Sequence, residues 1–282
     1  MPLFFKKNIV EVKVNRSIVS KKKIGLVPTM GSLHEGHISL IKKAKQNNDV
    51  VWVSIFVNPT QFNNSKDLIK YPRDLNKDMK LIREISENIH VFSPNEIEIY
   101  NGAPKVKVYD FENLDKELEG KFRKNHFNGV ATIVSKLLNL FRPNNVYFGE
   151  KDFQQILIIK RLIDIEKINV KIVICPTIRE KNGLALSSRN NLLAKSIRDK
   201  SSIIYKSLNF LKVNFKNLNL IHAKKKIIDN INKNKNFEVE YLEIVNENTL
   251  EIDVKINPKK SYRAFICVKA NEVRLIDNIL LN

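Results

Sequence analysis

Short apolar runs that stop abruptly at polar corners, each followed by a stretch with helical spacing, constrain this chain more than any other feature in it. The runs fall at residues 24–27, 49–57, 90–93, 146–148 and 170–175. The second, Asp49-Val-Val-Trp-Val-Ser-Ile-Phe-Val57, is nearly unbroken and suits a strand covered on both faces. Between the runs, Ile38, Leu40, Ile41 and Ala44 recur at helical spacing. So do Leu75, Met79, Ile82 and Ile85, then Ile133, Val134, Leu137 and Leu138, then Phe153, Ile156, Leu157 and Ile163. Strands alternating with helices in this way predict an α/β fold, a doubly wound parallel sheet. Pro28 has no N–H for a ladder and is expected to end the first strand, with a helix from about His37. The Val106-Lys-Val-Tyr109 alternation reads as an edge strand, and the first 23 residues as a basic, exposed lead-in with a short helix.

The pattern changes after Pro176. Residues 190–234 read as two helices and residues 237–245, 249–254 and 262–269 as strands, which predicts a smaller α+β C-terminal domain. The boundary falls within residues 175–185, set here at 178/179, dividing the chain into domains 1–178 and 179–282.

At 282 residues and 43% hydrophobic the chain can bury a sizeable core. It has no apolar run long enough to span a bilayer and no signal-peptide pattern at its start, so no membrane association is expected. Cys175 and Cys267 are its two cysteines, widely separated, which fits reduced thiols in a cytoplasmic protein. The net charge is +19, but lysine is spread along the whole chain. Lys21-Lys-Lys23 and Lys224-Lys-Lys226 are short and lack interleaved aromatics, which argues against nucleic acid and for anionic small molecules. A basic RNA-binding module is the rival class, and it would show salt-dependent RNA binding without ATP turnover.

Four polar segments sit at strand ends: His34-Glu-Gly-His37, Asn58-Pro-Thr-Gln61, Gly149-Glu-Lys-Asp152 and Leu186-Ser-Ser-Arg-Asn190. A parallel sheet puts all its carboxyl ends on one edge, so the first three are expected to converge there. His34 and His37, three residues apart, can share one side of a helical turn and donate to phosphate oxygens; solvated or helix-capping histidines are the alternative. Lys151 and Ser187-Ser-Arg189 suit a phosphate clamp, the serines otherwise a helix N-cap. Gln61 offers one donor and one acceptor, fit for a hydroxyl or carboxylate. No Gly-x-Gly-x-x-Gly or Gly-Lys-Ser/Thr loop occurs.

Six motifs in order, Pro28-Thr-Met-Gly-Ser-Leu-His-Glu-Gly-His37, Phe56-Val-Asn-Pro-Thr-Gln-Phe62, Tyr71-Pro-Arg73, His126-Phe-Asn-Gly-Val-Ala-Thr132, Phe148-Gly-Glu-Lys-Asp-Phe-Gln-Gln155 and Leu186-Ser-Ser-Arg-Asn190, resemble the pantothenate synthetase family. His-Glu-Gly-His also resembles the HIGH signature of nucleotidyltransferases and class I aminoacyl-tRNA synthetases. The resemblance implies a Rossmann-like ATP- and pantoate-binding domain, a C-terminal lid domain, and a cytoplasmic homodimer. It implies ATP-dependent condensation of (R)-pantoate with β-alanine through a pantoyl adenylate, releasing pyrophosphate and AMP, with Mg²⁺. Carried over residue by residue, Met30, Gly31, Ser32, Leu33, His34, Glu35, Gly36 and His37 would line the nucleotide, with His37 the proton donor. Gly149, Glu150, Lys151, Asp152, Ile178, Leu186, Ser187, Ser188 and Arg189 would complete the ATP site, and His34, Lys151 and Arg189 would join His37 in catalysis. Gln61 would hold pantoate and β-alanine, Gln155 pantoate, and Asp78 would lie near the magnesium.

Three positions depart from the family pattern. Arg123-Lys-Asn125 stands where the family has Arg-Pro-Gly; asparagine tolerates left-handed angles, so the turn is expected to survive. Leu186 replaces a common methionine, and Lys77 stands where some members carry a second acidic residue, which weakens a two-carboxylate metal site.

Overall fold

A computed structural model describes residues 5–6, 8–19, 21–253 and 255–282. Its chain clusters into two compact units. The first comprises Met1–Asp115, Glu119–Glu150 and Gln154–Pro176, and the second Lys116–Leu118, Lys151–Phe153 and Thr177–Asn282.

In the first unit the strands are β1 (Phe5–Lys6), β2 (Ile24–Thr29), β3 (Val50–Ile55), β4 (His90–Phe92), β5 (Asn145–Gly149) and β6 (Lys171–Cys175). The helices are α1 (Ile9–Ile18), α2 (Glu35–Asn47), α3 (Ser65–Lys70), α4 (Leu75–Ile85), α5 (Glu96–Tyr100), α6 (Glu119–Phe122), α7 (His126–Phe141) and α8 (Phe153–Glu166). The sheet order is β1-β4-β3-β2-β5-β6, and every pair is parallel. From β2 the chain steps outward to β3 and β4, then returns to lay β5 on the other side of β2. The strand order therefore reverses between β2 and β5, and the crevice beyond their carboxyl ends is where such sheets bind ligands.

Burial explains the order. Trp52, Val53, Ile24 and Leu26 are fully buried, as central strands covered on both faces require. Each such aliphatic side chain contributes about 1.5–3 kcal/mol by leaving water. α2 turns Ile38, Leu40, Ile41 and Ala44 inward, while α7 is buried on nearly every side.

Two sequence expectations need correction here. β2 continues through Pro28 to Thr29, because its ladder to β5 involves only Gly25 and Leu26 and only β3 flanks it at Pro28. Residues 106–109 form no strand. The N–H groups of Lys107 and Tyr109 donate instead to Thr132 Oγ1 (3.0 Å) and Asn128 Oδ1 (2.9 Å) on α7, so the period-two alternation serves a helix surface. The short helices α3, α5 and α6 gave no clear periodic signal, being six residues or fewer.

The second unit has an antiparallel sheet, β7 (Phe237–Asn246), β8 (Tyr262–Ala270) and β9 (Val273–Leu280), in that order. Its helices are α9 (Lys195–Lys200), α10 (Ile203–Asn214) and α11 (Leu220–Asn232), with Leu208, Leu211, Ile227 and Ile231 packed in one core with Tyr262, Ile266 and Val268. The two helices expected over residues 190–234 are three, preceded by a 3₁₀ turn at Ser188–Leu192. The strand expected at 249–254 is a turn where Leu250 takes φ 60° and donates its N–H to the Asn246 carbonyl (3.0 Å); Val254 lies outside the described residues. The third strand is β9, which carries Asp277 and Asn278, residue types that strands disfavour. Among the described residues no helix is long and apolar enough to cross a membrane.

His90, on β4, is 7% exposed and stacks on Trp52 at 4.6 Å. Burial first, and Lys6 second, lower its pKa from 6.5 to about 4. Between those values the unfolded chain binds a proton that the native chain refuses. Stability is therefore full above pH 6.5 and falls by about 1.4 kcal/mol per pH unit towards pH 4. Urea titrations across this range should show that slope in the wild type and its loss from His90→Phe; parallel profiles would refute it.

Candidate active site

The turn after β2 is held at three points. Thr29 Oγ1 donates to the Ser54 carbonyl (2.7 Å) and accepts from the Gly31 N–H (3.2 Å). Gly31 has φ +78°, and a Cβ there would meet Asp78 Oδ2 and Ile55 Cγ2 at 3.0 Å each. Asp78, on α4 and 1% exposed, accepts from the N–H groups of Ser32 (2.9 Å) and Leu33 (2.7 Å). Burial raises its pKa, and those two backbone bonds oppose the rise.

α2 starts at Glu35, two residues earlier than expected, because the histidines cap it. His34 Nδ1 accepts from the Gly36 N–H (3.1 Å), and His37 Nδ1 accepts from the His34 N–H (3.3 Å). The capping alternative is therefore realised, and it fixes the tautomer. An Nδ1 that accepts carries no proton, so each neutral ring bears its proton on Nε2. The two rings lie 4.1 Å apart. Two N–H donors thus accompany the positive end of a 13-residue helix, an anion-binding arrangement.

The corner after β3 is built around Asn58, which is 1% exposed. Its Oδ1 accepts from Tyr100 Oη (2.5 Å) and Thr60 Oγ1 (2.9 Å), and its Nδ2 donates to Gln61 Oε1 (3.2 Å) and the Gly129 carbonyl (3.1 Å). Gln61 Nε2 reaches Met30 Sδ at 2.7 Å, which joins this corner to the β2 turn. The Gln61 carbonyl accepts from His126 Nδ1–H (2.7 Å) and Arg123 Nη2 (3.2 Å), while Arg123 Nη1 donates to His126 Nε2 (3.0 Å). His126 is thus the opposite tautomer from His34 and His37. A Cβ on Gly129 would come within 2.3 Å of the Thr60 carbonyl, so glycine is required for α7 to lie this close to the corner. Asn125 takes φ 62° at the start of α7, as expected of the Arg123-Lys-Asn125 turn.

Gly149 ends β5 beside β2, with open space where a Cβ would point, and Glu150 follows it in the first unit. Gln155 lies half-buried in the first turn of α8. In the second unit Lys151 Nζ pairs with Asp152 Oδ1 (2.9 Å). Ile178 and Leu186 face each other across a hairpin, the Leu186 N–H donating to the Ile178 carbonyl (3.0 Å). Ser187 caps the following turn by accepting from the Arg189 N–H (3.3 Å), with Ser188 buried and Arg189 half-buried.

His126 and Gly129 lie in a family-like motif, but the sequence alone assigns neither a role. Asn58, Tyr100 and Arg123 were likewise unassigned. A histidine and a glycine three residues apart at a helix start were the available signal.

The family model for pantoate-β-alanine ligase matches residues 5–280. A pantothenate synthetase of Flavobacterium psychrophilum is 45% identical over the full length of both chains, and one of Christiangramia forsetii is 44% identical over the same span. The crystal structure of pantothenate synthetase from Thermus thermophilus superposes with a TM-score of 0.89 at 34% identity, covering 99% of each chain. That of a pantoate-β-alanine ligase from Francisella tularensis, complexed with β-γ ATP and β-alanine, gives 0.84 at 40%, covering 99% of this chain and 97% of that one.

Nitrogen-15 spectra of labelled imidazoles at neutral pH should show His34 and His37 protonated on Nε2 and His126 on Nδ1. An Nδ1–H signal from His34 or His37 would contradict the capping geometry.

Proposed function

The chain belongs to the pantoate–β-alanine ligase family, and on that premise we propose that it joins (R)-pantoate to β-alanine in two ATP-driven steps. In the first, a pantoate carboxylate oxygen attacks the α-phosphorus of ATP and the bond to pyrophosphate breaks, giving pantoyl adenylate. In the second, the neutral amine of β-alanine attacks the activated carbonyl, AMP leaves, and the amine gives up a proton as pantothenate forms.

The observation that carries this reading is the pair of Nε2–H imidazoles at the start of α2, beside the strand reversal between β2 and β5. Negative charge builds on the α-phosphoryl oxygens and on departing pyrophosphate, and fixed donors stabilise it without reorganising. In this reading Met30 to His37 line the nucleotide, His34 and His37 reach its phosphates, and His37 is the proton donor. Gly149 to Asp152, Ile178 and Leu186 to Arg189 complete the ATP site, Lys151 and Arg189 supplying full positive charge. Gln61 holds pantoate and the β-alanine site through an amide already aligned by Asn58, and Gln155 holds pantoate. The protein supplies no nucleophile, so positioning and electrostatics account for the catalysis.

Magnesium fits as part of the MgATP substrate, since this ion binds chiefly through phosphates and its own waters. A protein-held ion does not fit Asp78. Both its oxygens accept backbone N–H bonds in a nearly closed space, and its neighbour is Lys77.

A coupled assay should produce AMP only when ATP, pantoate and β-alanine are all present. His37→Ala should lower that rate by about 10²–10⁴-fold, the range for a lost acid–base group. AMP release without pantoate, or a near-normal rate in the variant, would contradict the assignment.

A further inference from the structure

The second unit contains a buried polar pair that the reaction as described does not use. Asp277 and Asn278, consecutive on β9, are 3% and 4% exposed in a sheet that buries mostly apolar side chains. Each is tied to a segment assigned to ATP.

Asn278 reaches the Lys151 corner. Arg263 Nη1 donates to Asn278 Oδ1 (2.5 Å), and because a guanidinium only donates, the amide must turn its Nδ2 the other way. That Nδ2 donates to the Lys151 carbonyl at 2.8 Å. Arg263 is itself held by Glu247 Oε1 (2.7 Å) and lies over the Phe153 ring at 3.9 Å, so the residues around the corner are gripped from two sides.

Asp277 reaches the hairpin that leads into Ser187. Its two carboxylate oxygens take a bidentate fork from Arg179 (2.5 and 3.0 Å), and Oδ1 also accepts the Asn278 N–H (2.8 Å). Arg179 Nη1 donates onward to the Gly183 carbonyl (3.2 Å), and the guanidinium stacks on Tyr205 at 3.9 Å. Beyond the hairpin, Asn190 Nδ2 donates to the Ala185 carbonyl (3.0 Å) and to Glu180 Oε1 (2.9 Å), closing the loop that carries Ser187, Ser188 and Arg189.

We propose that Asp277 and Asn278 are positioning residues for ATP, one strand position apart, holding the Ser187–Arg189 loop and the Lys151 corner in fixed register. The proposal rests on the reading that those segments hold the nucleotide. It assigns β9 a part in nucleotide recognition through side chains that are themselves buried against protein. A buried hydrogen-bonded carboxylate and amide cost stability in a small sheet unless fully paired, and both are paired to the two segments concerned.

The test is Asn278→Asp, which keeps the acceptor for Arg263 and replaces the donor facing the Lys151 carbonyl with an oxygen. Calorimetry with MgATP alone should show the dissociation constant raised about tenfold, the scale of one lost hydrogen bond. The KM for ATP should rise in step, while those for pantoate and β-alanine stay within about twofold of wild type. If that variant does not fold, Arg179→Lys, which keeps the charge but loses the fork, should show the same split. Wild-type affinity in whichever variant folds would overturn the proposal and leave the functional reading intact. So would equal losses for all three substrates in step with a fall in Tm. A wild-type enzyme that binds no MgATP would overturn both.

Discussion

Two consecutive backbone amides, those of Ser32 and Leu33, point into one carboxylate, and the turn after β2 depends on that contact. Asp78 comes from α4, two helices further along the chain than the α2 start it anchors. Its charge is held away from water at a cost, which the two N–H groups offset. With the turn fixed, His34 stands at the cap of α2, His37 folds back onto it, and Met30 is placed against the Gln61 amide. The second corner is then fixed from the far side by Asn58, His126 and Arg123, and α7 approaches only because residue 129 lacks a side chain.

The two units bring different chemistry. The first holds neutral donors: imidazole Nε2–H groups, an amide and the amides at a helix start. The second holds two cationic side chains, those of Lys151, whose carbonyl accepts from Asn278 of the C-terminal sheet, and Arg189, whose N–H donates to Ser187. Neutral donors discriminate by direction, and cations balance total charge. The chain's net charge of +19 adds a general attraction for anions on top of this arrangement.

What could be read from the sequence divides along physical lines. Central strands such as Val50–Ile55 were legible because burial on both faces leaves an apolar run with little else to become. The histidine pair was legible as a motif, but its tautomer depends on which backbone N–H each ring meets. Asn125 was legible in advance, since few residues other than glycine take φ 62° readily. Residues 106–109 misled because alternation fits any surface that takes every second N–H, here α7. β9 was missed because Asp277 and Asn278 disguise it, and those are the residues that tie its sheet to the Lys151 corner and the Arg179 hairpin. Tertiary partners, invisible along the chain, decided residues 106–109 and β9.

Isotope exchange between pyrophosphate and ATP reports on the first chemical step alone. Radiolabelled pyrophosphate should enter ATP when pantoate is present and β-alanine is withheld, because the carboxylate attack on the α-phosphorus is reversible while the adenylate stays bound. Exchange that requires β-alanine, or that proceeds without pantoate, would mean that this site does not activate the acid.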